Sequence, residues 1–306
     1  MPAPVIRCDG LVKRFGDVVA LDRLDLEVPP GQVVGFLGPN GAGKSTTIRI
    51  LLDLARPSDG RVEVLGVDPR AGGPRLRARI GYLPGELRLD ERLTVAQTLR
   101  SWSRLRDGSV DERDVDALCA RFELDPSRHT KGLSSGNRRK VGLVGAFMAR
   151  PELLILDEPT SGLDPLVKSE FQRLLEETRD AGATVFLSSH VLSEVQHVAD
   201  RVIVIRRGRA VATGAVDDLR RSARQPFTVW FADAPPEAEL RATAGVSGLD
   251  VHGREVNGTV EGSPSELLAV LSRHAVQHLL MPEPDLEDAF LQLYEDAEPS
   301  DAQVMP

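Results

Sequence analysis

Apolar positions fall in short runs over the first part of the chain: "VIRCDG" (5–10), "LDLEV" (24–28), "VVGFLG" (33–38), "RVEVLG" (61–66) and "RIGYLP" (79–84). Runs of this length, bounded by glycine, proline and aspartate, predict β-strands with helical stretches between them. From about Thr94 to Arg150 the pattern is helical, which predicts an inserted helical subdomain over about 90–150. Strand signals return as "ELLILDE" (152–158), "ATVFLSS" (183–189) and "RVIVIRRGRAVATG" (201–214), the last with Gly208 as the turn between two strands. The stretch "PLVKSEFQRLLEETRDAG" (165–182) predicts a helix stopped by Gly182. Near-continuous apolar strands alternating with helices predict an α/β fold around a parallel sheet covered on both faces.

The pattern changes after "RRSARQP" (220–226). "FTVWFA", a helix near "PEAELRATA", "GLDVHG", "EVNGTVEG", a helix in "SPSELLAVLSRHA" and "VQHLLMP" follow in the order β-α-β-β-α-β, with a last helix predicted in "DLEDAFLQLYE" (285–295). That order predicts a small α+β sandwich of the split-βαβ kind. Charge marks the same change. From Gln225 onward 15 acidic residues face three arginines, a net −12, whereas the first 224 residues carry 35 basic and 31 acidic side chains, a net +4. Two domains are expected, 1–224 and an acidic accessory domain at 225–306, within the ordinary size range for a 306-residue chain.

Composition excludes little else. No apolar run approaches the roughly 18 residues of a membrane span, and "MPAPVIRCDG" lacks the basic-then-apolar layout of a signal peptide, so a cytoplasmic chain is expected. An acidic tail argues against general nucleic-acid binding. Cys8 and Cys119 have no CxxC-type spacing and read as reduced structural thiols.

The chemistry lies in "GPNGAGKSTT" (38–47), where Gly38, Gly43, Lys44 and Ser45 satisfy G-x-x-x-x-G-K-[ST] between a strand and a helix. Glycines let the loop of Gly38, Pro39, Asn40, Gly41, Ala42 and Gly43 curl so that its N–H groups, absent only at Pro39, turn inward towards phosphate oxygens. The helix starting near Lys44 adds its positive end, with the Thr46 N–H in its first turn. Lys44 is placed for the β- and γ-phosphates and the Ser45 hydroxyl for Mg²⁺. A phosphate loop needs a metal-side carboxylate at the end of a buried strand, and "LLILDEP" supplies Asp157 there, with Glu158 beside it to polarise water. Such motifs serve many nucleotide hydrolases and kinases.

The segment "LSSGNRRKVGLVGAFMARPELLILDEPTSGLDP" narrows the choice. It resembles the ATP-binding cassette family, whose ATPase subunits carry an LSGGQ-type signature shortly before the Asp–Glu strand. The likeness extends over roughly residues 3–221, through "VKRFGDVVAL", "SGLD" and "FLSSHVLSEV". The tail is similar to the C-terminal extension of some exporter ATPases. The resemblance implies that Phe15 stacks on adenine, that Glu158 is the general base, and that His190 contacts the γ-phosphate. It implies that Ser134 and Gly136 face the γ-phosphate held by a second ATPase subunit, so that ATP joins two copies, and that Asp164 lies between them; alone, Asp164 reads equally as a helix N-cap. It also implies a separate transmembrane permease, a peripheral place on the cytoplasmic face of the membrane, and export of a drug, antibiotic or lipid.

Two departures stand out. The signature has Ser135 for a glycine and Asn137 for the glutamine. In "IGYLPGELRL" Gly85 occupies the place of a glutamine, with Glu86 next to it. Either Glu86 reaches the metal by a one-residue shift, or the loop serves only as a hinge to the helical region. Permease contact is expected beside Glu86 and around Trp102, an interface or a buried residue. The alternative function is a soluble ATPase of the same family acting on DNA or ribosomes, although neither a coiled-coil insertion nor tandem cassettes appear.

Overall fold

Alternation in "IRCDGLVKRF" builds the first strand, β1 (Ile6–Phe15), with Ile6, Cys8 and Leu11 turned inward. A turn at Gly16–Asp17 returns the chain as β2 (Val18–Val28), antiparallel to β1. In the computed structural model, which describes residues 2–106, 110–218 and 224–282, β1 also pairs antiparallel with β4 (Asp59–Val64), giving the order β2-β1-β4. β1 is thus longer than its apolar run predicts: Lys13 and Arg14 continue the pairing to the hairpin tip, where Phe15 lies opposite Val18.

The second sheet contains the fully buried strands. In β3 (Val33–Leu37), β6 (Leu153–Asp157) and β7 (Thr184–Ser189) every residue is buried, as expected of parallel strands covered on both faces. With β5 (Ile80–Leu83), β8 (Arg201–Arg206) and β9 (Arg209–Ala215) they form a six-stranded sheet in the order β5-β6-β7-β3-β8-β9. Pairing from β5 through β8 is parallel. One apolar cluster joins the two sheets, with Leu11 and Leu24 from the first, Phe36, Ile155 and Phe186 from the second, and Ile48 from helix α1 (Lys44–Leu51). Each such fully buried side chain contributes about 1.5–3 kcal/mol of burial free energy.

Helices cover the parallel sheet. α2 (Pro69–Ala78) starts at the Asp68 cap, and α6 (Pro165–Asp180) at Asp164, whose carboxylate accepts from Val167 N at 3.0 Å. Asp164 is therefore a helix cap, and Gly182, at φ 94°, lies just past the end of α6. The helical region contains α3 (Val95–Arg104), opened by a Thr94–Gln97 capping box, α4 (Glu112–Arg121), capped by Asp111, and α5 (Ser135–Phe147), capped by Ser134. Trp102 packs half-buried on Gly145, where an added Cβ would lie 2.5 Å from the indole. Both cysteines are free and buried; burial pushes the Cys8 thiol up to about 12 and the Cys119 thiol up to about 11.

The chain divides into two compact units, Met1–Thr213 and Gly214–Pro306. The charge break at Gln225 comes later because Asp217 and Asp218 are offset by Arg220, Arg221 and Arg224. The second unit has strands β10 (Arg224–Phe231), β11 (Val246–His252), β12 (Glu255–Glu261) and β13 (Val276–Leu280), with helices α8 (Glu237–Ala242) and α9 (Ser265–Leu271). Its sheet order is β11-β12-β10-β13, antiparallel throughout, which is the split-βαβ arrangement. Its own core gathers Phe227, Val229, Phe231, Leu240, Val256 and Leu267. The helix expected over 285–295 lies outside the described residues.

Candidate active site

Three adjacent parallel strands end at one place. In the sheet register Leu37 at the end of β3 lies beside Ser189 of β7, and Asp157 at the end of β6 lies beside Ser188. The phosphate loop leaves β3, Glu158 follows Asp157, and His190 follows Ser189. Ligands of open parallel sheets bind at this carboxyl edge.

The phosphate loop depends on its glycines. Gly38 has no room for a side chain, since a Cβ there would lie 2.3 Å from the Ile205 carbonyl. Gly43 caps α1 at φ 114°, a left-handed conformation, and a Cβ there would lie 2.7 Å from Leu21 and 2.8 Å from the Ala20 carbonyl of β2. Pro39, Asn40 and Gly41 form an exposed crest, Ala42 N donates to Pro39 O at 3.1 Å, and Ser45 is exposed with Thr46 half-buried. Lys44 is only 6% exposed. Its Nζ donates to the Gly38 carbonyl and, at 3.3 Å, to that of Pro39. The amine also lies 3.6 Å from Glu158 Oε1.

Glu158 has φ 50°, a sparsely populated conformation for a side-chain-bearing residue, of the kind that concentrates at functional sites. Its N–H donates to the Ser188 carbonyl at 3.1 Å, and the carboxylate Oε2 meets His190 Nδ1 at 2.8 Å. Asp157 is buried, with Oδ1 accepting from the Ser188 hydroxyl. Ser188, fully buried, thereby fixes both acidic residues. Sequence reasoning missed it; the pair "SS" before His190 is the only signal.

It also missed Arg139, one turn into α5 and buried. This guanidinium donates to five main-chain carbonyls: Pro84 at 2.7 Å, Gly85 at 3.0 Å, Asp157 at 2.6 Å, Pro159 at 3.2 Å, and Glu158. Burial lowers its pKa, and the Asp157 and Glu158 carboxylates counter the shift. Burial, then Asp157, raises the nearby Tyr82 phenol. One cation thus fastens the signature helix to the Asp–Glu strand and to the loop at Gly85. Removing the guanidinium leaves buried carbonyls without their donor, at a cost of about 1–3 kcal/mol for each that finds no other partner. We predict that Arg139→Met lowers unfolding free energy by about 3 kcal/mol, read by chemical denaturation; an unchanged midpoint contradicts the clamp.

The loop after β5 brings a backbone, not a side chain, to the Asp157 carboxylate. A Cβ on Gly85 would lie 3.1 Å from Asp157 Oδ2, while the Glu86 side chain is exposed. At the hairpin tip Phe15 is 51% exposed, with the Lys13 ammonium 4.6 Å from its ring centroid. The same hairpin touches the phosphate loop through Ala20 and Leu21.

Lys44, Glu158 and His190 therefore form one contact set, with Asp157 beside it. Ser134 and Gly136 lie at the start of α5, where a Cβ on Gly136 would be 2.9 Å from the Gly162 carbonyl. The Ser135 hydroxyl lies beside Gly162, 3.7 Å from where a Cβ on that residue would be.

Comparison with known proteins finds relatives of the whole chain and of its first unit. The family described as "ABC transporter" matches residues 21–161. A daunorubicin resistance ATP-binding protein of Streptomyces coeruleorubidus is 42% identical over 224 residues, covering 72% of this chain and 71% of the relative. Nod factor export ATP-binding protein I of Cupriavidus metallidurans is 34% identical over 295 residues, covering 94% of this chain and 97% of that protein. Among solved structures, the ATP-binding subunit of an ABC transporter superposes with a TM-score of 0.66 at 31% identity, over 71% of this chain and 92% of that one. The ATP-binding cassette MJ0796, a dimer bound to ADP and Pi, shares the fold with a TM-score of 0.63 at 20% identity, over 69% and 98%.

Proposed function

The chain belongs to the ABC transporter family as an ATP-binding and ATP-hydrolysing subunit, and from that premise we propose that it powers export of a drug, antibiotic or lipid through a separate membrane permease. The observation that carries the hydrolytic reading is the meeting of Lys44, Glu158 and His190 at the ends of β3, β6 and β7. The export reading follows relatives named for daunorubicin resistance and Nod factor export. Those names give no support to a role on DNA or ribosomes.

Each side chain has a task. The phosphate loop from Gly38 to Thr46 binds the phosphate chain through backbone N–H groups, with Lys44 on the terminal phosphates. The exposed ring of Phe15 offers a face to adenine. Glu158 takes a proton from the attacking water, and His190, hydrogen-bonded to Glu158, orients that water and the γ-phosphate. Ser134 and Gly136 of a second copy close over the terminal phosphate, using a hydroxyl and helix-start N–H groups, and exclude water.

A magnesium ion fits this site: the buried Asp157 carboxylate and the Ser45 hydroxyl are hard oxygen donors of the kind that cation takes. Ser45 and Asp157 would hold it; Glu86 would join only with a shift of its loop. When bound, the ion neutralises charge on the phosphate oxygens.

Permease contact is assigned to a groove of about 390 Å³ bordered by Tyr82, Leu87, Trp102, Leu105 and Gly145. Leu105 is 80% exposed there, and exposed apolar and aromatic side chains suit an interface core. Among the described residues no helix is long and apolar enough to cross a membrane. A peripheral position on the cytoplasmic face follows from permease binding. The test is purification of the tagged full chain from detergent-solubilised membranes. Recovery with a protein of several membrane spans, together with ATP turnover, is expected. Recovery only with ribosomes or DNA would overturn the export reading.

A further inference from the structure

Glu194 lies four residues beyond His190, in the short helix α7 (Leu192–Val195) that follows β7. Its two carboxylate oxygens hold different segments. Oε1 accepts from Lys168 Nζ of α6 at 2.5 Å, and Oε2 accepts from the hydroxyl of Thr160, two residues after Glu158. Thr160 is buried, and Glu194 keeps a quarter of its side-chain surface exposed. His190 meets Glu158 across the same gap. Segments 158–160 and 190–194 are therefore cross-braced twice, by His190 with Glu158 and by Glu194 with Thr160. The loop onward from Thr160 is itself turned back, with Ser161 N donating to Glu158 O and Leu163 N to Thr160 O, each at 3.2 Å.

We infer that Glu194 is a positioning residue for ATP hydrolysis: it holds His190 in register with Glu158 and ties that pair to the loop at 160–164. The inference rests on the hydrolytic roles proposed for Glu158 and His190. A four-residue helix has no stability of its own, because nucleating a helical turn is unfavourable. The His190 side chain is half exposed, so its placement depends on what anchors the chain that follows it. Glu194 provides that anchor with two bonds to its carboxylate, one of them an ion pair. Loosening it lets the imidazole wander from the line between Glu158 and the reacting phosphate, where a displacement of about 1 Å costs on the order of a hundredfold in rate. Partial loosening of one anchor costs less.

The test is steady-state and single-turnover ATP hydrolysis by the full chain carrying Glu194→Ala, His190→Ala, or both. Glu194→Ala is expected to lower kcat about tenfold while KM for ATP and binding of a fluorescent ATP analogue stay at wild-type values. Added to His190→Ala it is expected to cost nothing further, because it acts through that side chain. Glu194→Gln, which still accepts from Thr160, is expected to fall between. Wild-type turnover in Glu194→Ala overturns the inference, as does a loss that adds in full to that of His190→Ala. If Glu194→Ala does not fold, Thr160→Val and Lys168→Met break the two anchors singly, and unchanged kcat in both is equally fatal. Failure of the underlying reading is distinguishable, since Glu158→Gln or His190→Ala alone then keeps wild-type turnover.

Discussion

Lys44→Ala abolishes ATP turnover and weakens nucleotide binding by about a hundredfold or more. The size of that effect follows from where the amine sits. It is buried, it is held by the carbonyls of Gly38 and Pro39, and it lies 3.6 Å from Glu158. The amine is thus positioned before nucleotide arrives, and little ordering remains to be done on binding. Charge-assisted hydrogen bonds to phosphate are each worth about 1.5–3 kcal/mol, and loss of a preorganised charge at a developing oxyanion costs about 10²–10³ in rate. Fluorescent-nucleotide titration and phosphate release measure the two effects separately, with circular dichroism to establish that the variant is folded. Near-normal hydrolysis by a folded Lys44→Ala chain removes the phosphate-loop assignment.

That site was legible in the sequence because its signals are local. A glycine-rich loop, a lysine and a hydroxyl lie within eight residues, and an apolar run ends in Asp157 and Glu158. Parallel strands buried on both faces also announce themselves, as in "LLILD" and "TVFLSS". The extension of β1 to Phe15 is less visible. Lys13, Arg14 and Asp17 break the apolar pattern at the hairpin tip, and only pairing with β2 makes those residues a strand.

What the sequence hides is contact between distant positions. Arg139 stands in "NRRK", which reads as a solvated basic run on a helix, yet the fold buries it against carbonyls 18 to 55 positions away. Ser188 and Glu194 acquire meaning only when β6 and β7 lie side by side. The sequence leaves Trp102 open between interface and core; the fold packs its ring on Gly145 and keeps the residue half-buried at the rim of a groove. The glutamine missing before Glu86 has a similar account. The backbone at Gly85 is held by Arg139 so close to Asp157 that a side chain there would crowd the carboxylate. The loop is therefore fastened from the signature helix, and its attachment does not require a side chain of its own at residue 85.

The fastening matters most for Glu158, where the second large effect is expected. Glu158→Gln keeps the shape of the side chain and, through its amide oxygen or nitrogen, a hydrogen bond to His190 Nδ1, losing only the charge beside Lys44. An amide cannot take the proton of the attacking water, and loss of a general base costs about 10²–10⁴ in rate. ATP is then bound but not consumed, and nucleotide shared between two copies holds them together. The expected result is turnover lowered roughly a thousandfold, ATP affinity retained, and a two-subunit species in size-exclusion chromatography that appears only with ATP and magnesium. Wild-type hydrolysis in this variant places the base elsewhere. A slow variant that remains a single subunit under saturating ATP, with its membrane partner present, leaves Glu158 as the base. That same outcome removes the role assigned to Ser134 and Gly136, because phosphate contact from a second copy is what the trapped species measures.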